Sequence, residues 1–309
     1  MMQFVRNNIS KAKNEKKLKN DKRLKRLFFF TALISGLSIV VIILFIGGKG
    51  ITPFLEGKVN LFQFLFGNTW RQDQQLYGVG FIVINTLLTA FGALLLAFPI
   101  SVLTALFIVK IAPKQISKVM ITIVELLAAI PSVVYGVFAA GSISILIMNL
   151  ANSLNINTAG GSSQLTVILL LAIMIAPTIT SLSITAIQSV DPDLILASLA
   201  LGASTTQTNF KVVLSSAKSG IFAGAILGIG RAFGEATAVA MVAGNKMFGP
   251  TFNPFDITRT LTSTMLSGLK ETTGLDYDIR FSVGIVLMVV ILLSNFILNY
   301  IRKKVGHTS

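Results

Sequence analysis

The sequence predicts an all-α integral membrane protein that crosses the bilayer about six times, and three observations carry that reading. Of 309 residues, 53% are hydrophobic and only 12% charged, with a mean hydropathy of +0.78, whereas soluble domains carry about 25% charged residues. Apolar runs recur along the chain, long enough for a ~30 Å hydrocarbon core that takes about 20 helical residues to cross. Basic residues crowd one end, ten of the 26 Lys and Arg preceding Leu27, mostly in the run KAKNEKKLKNDKRLKR. Once the apolar runs are assigned, no large soluble domain remains to be placed.

Residues 1–26 form a basic arm. A net charge of +14 invites a nucleic-acid reading, but a juxtamembrane arm of this kind fixes topology and attracts anionic lipid headgroups, so membrane lipid is the expected partner and nucleic acid is not. The first apolar run, 27–46, follows the arm as a signal peptide would. It is about 20 residues long and lacks a small-x-small cleavage site, so it is expected as a retained first transmembrane helix.

After an extracytoplasmic loop at 47–78, further spans are expected at 79–109, 118–150, 165–187, 217–244 and 281–301, with a short cytoplasmic tail at 302–309. The second and third exceed a perpendicular crossing and should tilt, kink or protrude. Pro99, Pro131 and Pro177 fall inside spans, where the missing amide suits a broken-helix pathway or kinked packing. With the N-terminus inside, eighteen Lys and Arg lie on inner segments against seven on outer ones, the arm supplying most of the excess. Both termini are therefore expected in the cytoplasm. Trp70, Tyr77 and Tyr277, in the outer segments 47–78 and 245–280, are amphipathic aromatics of the headgroup-belt type.

The cytoplasmic connection between the fourth and fifth spans, 188–216, reads as two short helices. Asp191 is a good N-cap, Pro192 suits the first helical position, and Asp193 suits the positive helix end. Gly202 supplies the stop. Ser204 and Gln207 have capping-box spacing, so a second helix should carry Phe210, Val213 and Leu214 on one side. Two helices bent at a glycine would present an apolar surface to a partner.

This stretch resembles the cytoplasmic loop of binding-protein-dependent importer permeases, with Leu196-Ala197-Ser198, then Gly202-Ala203, then Val212 and Leu214 in register. Leu196 stands where that pattern has glutamate and Ser215 where it has proline. The runs from Leu127 to Gly136 (LAAIPSVVYG), Met174 to Ile179 (MIAPTI) and Gly228 to Glu235 (GIGRAFGE) resemble signatures of the PstC-type phosphate permease family. That resemblance implies a type I ABC importer permease (MetI-like) core at 79–301 with a coupling loop at 188–216. It also implies a homologous second permease subunit, two ATP-binding cassette subunits, and an extracytoplasmic phosphate-binding protein. Residues Ala197, Gly202, Ala203, Phe210 and Leu214 would then meet the ATPase. The chain has no G-x-x-x-x-G-K-[ST] motif, so its nucleotide site would be borrowed from the partner subunits.

Three ionisable residues fall within the expected spans: Glu125, Arg231 and Glu235. Such groups are costly in hydrocarbon and face cavities or partners. Arg231 and Glu235, four apart in what reads as one continuous helix, share a face and could pair as a self-neutralising unit. The functional alternative is that Arg231 offers its fork to a passing phosphate while Glu235 limits how tightly the anion is held. Glu125, six residues before Pro131, is expected to be structural, and Pro131, Ser132 and Tyr135 structural or gating. Gly220, Gly224, Gly228, Gly230 and Gly234 suit close helix packing better than a phosphate-cradling loop. His307 reads as a solvated tail residue.

With no Cys and one His, no thiolate site, metal spacing or cofactor motif is evident, and neither is a nucleophile–base pair. Rival readings are a secondary transporter, which would also use broken helices and buried charge, and a permease for another oxyanion such as sulfate or molybdate.

Overall fold

The computed structural model describes residues 2–306, with side chains for residues 21 and 23–304. His307 and most side chains of the basic arm lie outside the described residues. Among those described, the fold is helical apart from a two-stranded hairpin. It divides into two units, 1–49 and 50–309.

The first unit is the helix α1 (Met2–Leu55) up to residue 49. Leu27, Phe28, Ile34, Val41 and Leu44 are all exposed along it, as expected of a helix whose solvent is lipid. The span expected at 27–46 is longer, Arg23–Leu55, because the glycines after Ile46 do not end the helix. Gly50 is there for close approach instead. A Cβ at that position would lie 2.8 Å from the Phe281 carbonyl oxygen, and Ser282 donates to the Gly50 carbonyl at 2.6 Å. Both contacts belong to the second unit.

The stretch expected as a plain loop at 47–78 is also folded beyond α1. Asn60 accepts from the amides of Phe62 and Gln63 and caps α2 (Leu61–Phe66). Then β1 (Trp70–Arg71) pairs antiparallel with β2 (Leu76–Tyr77), Trp70 opposite Tyr77. The two rings are buried, 5.5 Å apart and edge to face. They form the core of an end cap, not the headgroup belt the sequence suggested, because a hairpin this short is stable only when packed.

The bundle follows with α3 (Gly80–Leu106), α4 (Lys114–Ala129), α5 (Ser132–Phe138), α6 (Ser144–Ser153) and α7 (Gln164–Gln188). Next come α8 (Pro192–Ala200), the single turn α9 (Thr205–Gln207), α10 (Leu214–Gly234), α11 (Thr237–Val242), α12 (Leu261–Leu266) and α13 (Leu275–Gly306). Wide π turns at Phe107–Ile111, Ala139–Ile143 and Thr208–Val213 extend α3, join α5 to α6 and join α9 to α10. Among the described residues, six stretches are long and apolar enough to cross a membrane: Arg23–Leu55, Gly80–Ile111, Ser132–Ser153, Gln164–Gln188, Thr205–Gly234 and Leu275–Lys304. The protein is a multi-pass, all-α membrane protein.

Two expected spans differ in detail. The run at 118–150 breaks at Ile130 and Pro131, both extended (ψ 128° and 140°), since a residue before proline is pushed out of the helical region. Only Ser132–Ser153 is a candidate span. Glu125 thus lies on α4 with an exposed side chain, not inside a span. The run at 217–244 also breaks, at Glu235 (ψ 113°).

The centre of the bundle is α3, α7 and α10, sharing cores around Ala93, Leu170, Ile175, Ile179 and Ile229, and around Ile184, Ile187, Val213 and Ala217. Glycines let α10 approach α7. A Cβ at Gly220 would meet Ala186 Cβ at 2.5 Å, and one at Gly228 would meet Ile179 Cγ1 at 2.8 Å, so these positions serve packing as the sequence suggested. Gly230 and Gly234 meet nothing within 4 Å. The α8 connection lies where α7 ends and α9–α10 begins. The hairpin lies at the other end, where Trp70 N–H donates to the Met247 carbonyl at 2.7 Å.

Candidate functional site

Arg231 sits in the last turn of α10, partly buried, and its Nη1 donates to the Thr178 hydroxyl of α7 at 3.1 Å. Both residues open onto a cavity of about 600 Å³ with Ala223, Ile226, Leu227, Gly230, Asn295 and Arg302 on its walls. Bare Gly230 leaves the space beside Arg231 free. The Asn295 Oδ1 is buried without a hydrogen-bond partner. Two guanidiniums, a hydroxyl and an amide in an otherwise apolar wall form a polar recess, and the guanidiniums are what suit it to an anion.

Glu235 does not complete an ion pair with Arg231. The helix ends one residue earlier, and the Glu235 carboxylate accepts the Ala238 amide at 3.0 Å, capping α11, while the Glu235 carbonyl accepts from Thr262 at 2.8 Å. No salt bridge joins Arg231 to Glu235 among the described residues. The shared-face expectation failed because it assumed an unbroken helix, and a local carboxylate-to-amide bond offers the backbone an alternative to continuing one.

The break folds α11 back on α5. A Cβ at Gly136 would lie 2.9 Å from Ala238 Cα, so glycine is the residue that lets these helices meet. Tyr135 is buried beside them, its hydroxyl donating to the Leu127 carbonyl at 2.8 Å, and it shares a core with Ile179 and Ile229. Pro131 precedes α5 and Ser132 opens it. The three sequence runs that include Tyr135, Thr178 and Arg231 therefore converge in space. Thr178, Asn295 and Arg302 were not singled out from sequence. Thr178 was legible as part of MIAPTI, while Arg302 read only as a topology charge.

The α8 connection is built as its capping residues dictate. Asp191 accepts the Asp193 amide at 2.9 Å, Gly202 adopts φ +83°, and Ser204 and Gln207 form the reciprocal capping box. The Ser198 and Thr208 hydroxyls bond at 2.9 Å and fix the bend. Leu196, Leu199, Leu201 and Phe210 are exposed, Leu201 at 89%, and Ala197 is exposed with them while Ala203 is half-buried. The second short helix is instead the first turns of the fifth span, because the π turn at Thr208–Val213 carries the helix straight on. Leu214 accordingly turns inward onto the core.

A broken-helix bundle with a polar recess lined by α7, α10 and α13 and an exposed apolar helix at one end has the parts of a membrane transport subunit. Residues 83–307 match the family described as "Binding-protein-dependent transport system inner membrane component", and the chain belongs to that family. Among its relatives, a probable ABC transporter permease protein, YqgH, of Bacillus subtilis is 35% identical, covering 89% of each chain. The phosphate transport system permease protein PstC of Pasteurella multocida is 32% identical over 79% of this chain and 82% of that one. PstC 2 of Mycobacterium tuberculosis is 30% identical, over 88% and 89%. The chain is a PstC-type importer permease by this likeness. The fold is also that of a chain in a bacterial alginate ABC transporter (TM-score 0.63, 19% identity, 93% of this chain and 98% of that one). A chain of the inward-facing MetNI methionine ABC transporter is similar as well (TM-score 0.57, 19% identity, 72% and 94%).

Proposed function

We propose that this chain is the transmembrane permease subunit of an ATP-driven phosphate importer, with Arg231 as the phosphate-contacting residue of the pathway. The observation that carries the reading is the recess itself: Arg231 held by Thr178 at 3.1 Å, facing open space at Gly230, with Arg302 across the same cavity. A planar fork matches two oxygens of a phosphate, and fixing it beforehand lowers the cost of ordering it on binding. The phosphate permeases among its relatives support the choice of anion.

In this reading a homologous permease supplies the other half of the pathway, and two ATPase subunits dock on the exposed face of α8 and Phe210. An extracytoplasmic phosphate-binding protein delivers the ion to the hairpin end. The α8 end faces the cytoplasm, as do both termini. Glu235 keeps its place beside the pathway as the residue that sets the break after Arg231.

The test is ATP-dependent uptake into proteoliposomes carrying the complex purified through a tag on this chain. Phosphate should be accumulated, and sulfate or molybdate should neither enter nor compete. Preferential uptake of sulfate or molybdate would replace phosphate by that oxyanion. Uptake by this chain alone without ATP would replace the importer by a secondary transporter.

A further inference from the structure

We propose that the pocket between the hairpin turn and the segment before α13 is a second binding site for an inorganic tetrahedral oxyanion, separate from the Arg231 recess. It is a cavity of about 280 Å³ lined by Trp70, Arg71, Gln72, Asp73, Met247, Arg259, Ser267 and Arg280. Two of its arginines are deeply buried, Arg259 at 7% and Arg280 at 3% exposure. Each is clamped to backbone carbonyls. Arg259 donates from Nε to Lys246 at 2.7 Å and from Nη2 to Asn245 at 2.9 Å. Arg280 donates from Nη1 to Thr264 at 2.7 Å and also to Ser267.

The clamps fix the guanidiniums without using all their donors. Arg71 Nε, Arg280 Nε and Gln72 Nε2 are buried with no acceptor. Three donor nitrogens without an acceptor beside one pocket is an unfavourable arrangement unless something accepts from them. Of the acidic groups nearby, Asp73 and Asp276 already have partners. Asp73 pairs with Arg71 at 2.9 Å at the exposed rim, and Asp276 accepts the Tyr77 hydroxyl at 2.5 Å, while Asp276 and Glu271 act on Arg280 from outside the lining. The lining retains three arginines against one aspartate. Donors in excess, more positive than negative charge in the lining and a half-open space with room for an ion and a few waters call for an acceptor-only anion.

Burial, and after it the neighbouring Arg280, hold the Arg259 pKa down to about 10, a cost of burying positive charge that a bound anion would relieve. The pocket lies at the hairpin end of the bundle, away from α8, so an arriving ion would meet it before Arg231. The choice of phosphate as the ion, and the order in which an arriving ion meets the pocket and Arg231, rest on the proposed import function.

The experiment is equilibrium binding of radiolabelled inorganic phosphate to the full chain in lipid nanodiscs, with sulfate as competitor. Because Arg259 and Arg280 also hold loops in place, the rim variants are made on the half-buried hairpin turn: Arg71→Gln, and Gln72→Glu, which adds a carboxylate to the lining. We expect saturable binding to survive in an Arg231→Ala background and to weaken about tenfold or more with either rim variant, the loss of one charge-assisted hydrogen bond. Loss of all binding in Arg231→Ala, or unchanged binding in Gln72→Glu, overturns the site while leaving the pathway proposal standing. Binding of sulfate and not phosphate that the rim variants weaken keeps the site and removes phosphate as the cargo. If the rim variants weaken capture of the extracytoplasmic binding protein but leave ion binding intact, the pocket is a socket for a partner carboxylate and the proposal fails.

Discussion

Glu235 accepts a hydrogen bond from the Ala238 amide at 3.0 Å, not an ion pair from Arg231 one turn before it. That contact separates the two charged residues of the GRAFGE run into different jobs. Arg231, held by Thr178 of α7, faces the recess, while Glu235 fixes the break that lays α11 against α5.

Removing the cap should therefore cost stability before chemistry. Glu235→Ala is expected to lose about 1 kcal/mol, as other helix-cap deletions do, and Glu235→Gln to lose little because it keeps an acceptor. Thermal melting of the detergent-solubilised protein checks this. Equal melting of wild type and Glu235→Ala would remove the cap from the account.

Since Arg231 and Glu235 share no bond, the double variant Arg231→Ala with Glu235→Ala should not recover the transport lost by Arg231→Ala alone. A mutually neutralising pair would behave otherwise, because taking away both members relieves an uncompensated charge. Restored phosphate uptake in the double variant would mean that the two residues pair in a state of the transport cycle.

Gly202 occupies φ +83° with open space around its missing Cβ, so a substitution meets only backbone strain. Gly202→Val should cost roughly 1–2 kcal/mol at that turn and shift α8, uncoupling ATP hydrolysis from uptake. Gly202→Asn should stay coupled, since asparagine tolerates the left-handed region. Phosphate moved per ATP hydrolysed is the quantity to compare.

Orientation is open to direct labelling because the chain has no cysteine. Gln74→Cys, exposed on the hairpin, should react with an impermeant maleimide in intact cells. Thr206→Cys, exposed beyond α8, should react only after permeabilisation. The reverse pattern would invert the topology.

Much of this molecule was legible in its residues. Length and apolarity are local properties, so six spans could be counted, and the capping chemistry of Asp191, Gly202, Ser204 and Gln207 could be placed because each acts within a few residues. The glycines at 220, 224 and 228 announced a close helix contact. What the chain order concealed were choices made by packing. Pro131 reads equally as a kink or a full break, Trp70 and Tyr77 as a belt or a buried pair, and Glu235 as a helical neighbour or a cap. The recess was half visible: Arg231 stood out as buried charge, but Asn295 and Arg302 are ordinary residues of α13 until the bundle brings them across from α10.

The central claim, that Arg231 contacts the transported phosphate, is tested most directly by ATP-driven uptake of radiolabelled phosphate in proteoliposomes with Arg231→Ala and Arg231→Lys. Subunit assembly is confirmed for each. Arg231→Ala should lose about tenfold or more of the uptake, and Arg231→Lys should be intermediate, keeping the charge without the fork. Uptake close to wild type by a fully assembled Arg231→Ala complex would contradict the account.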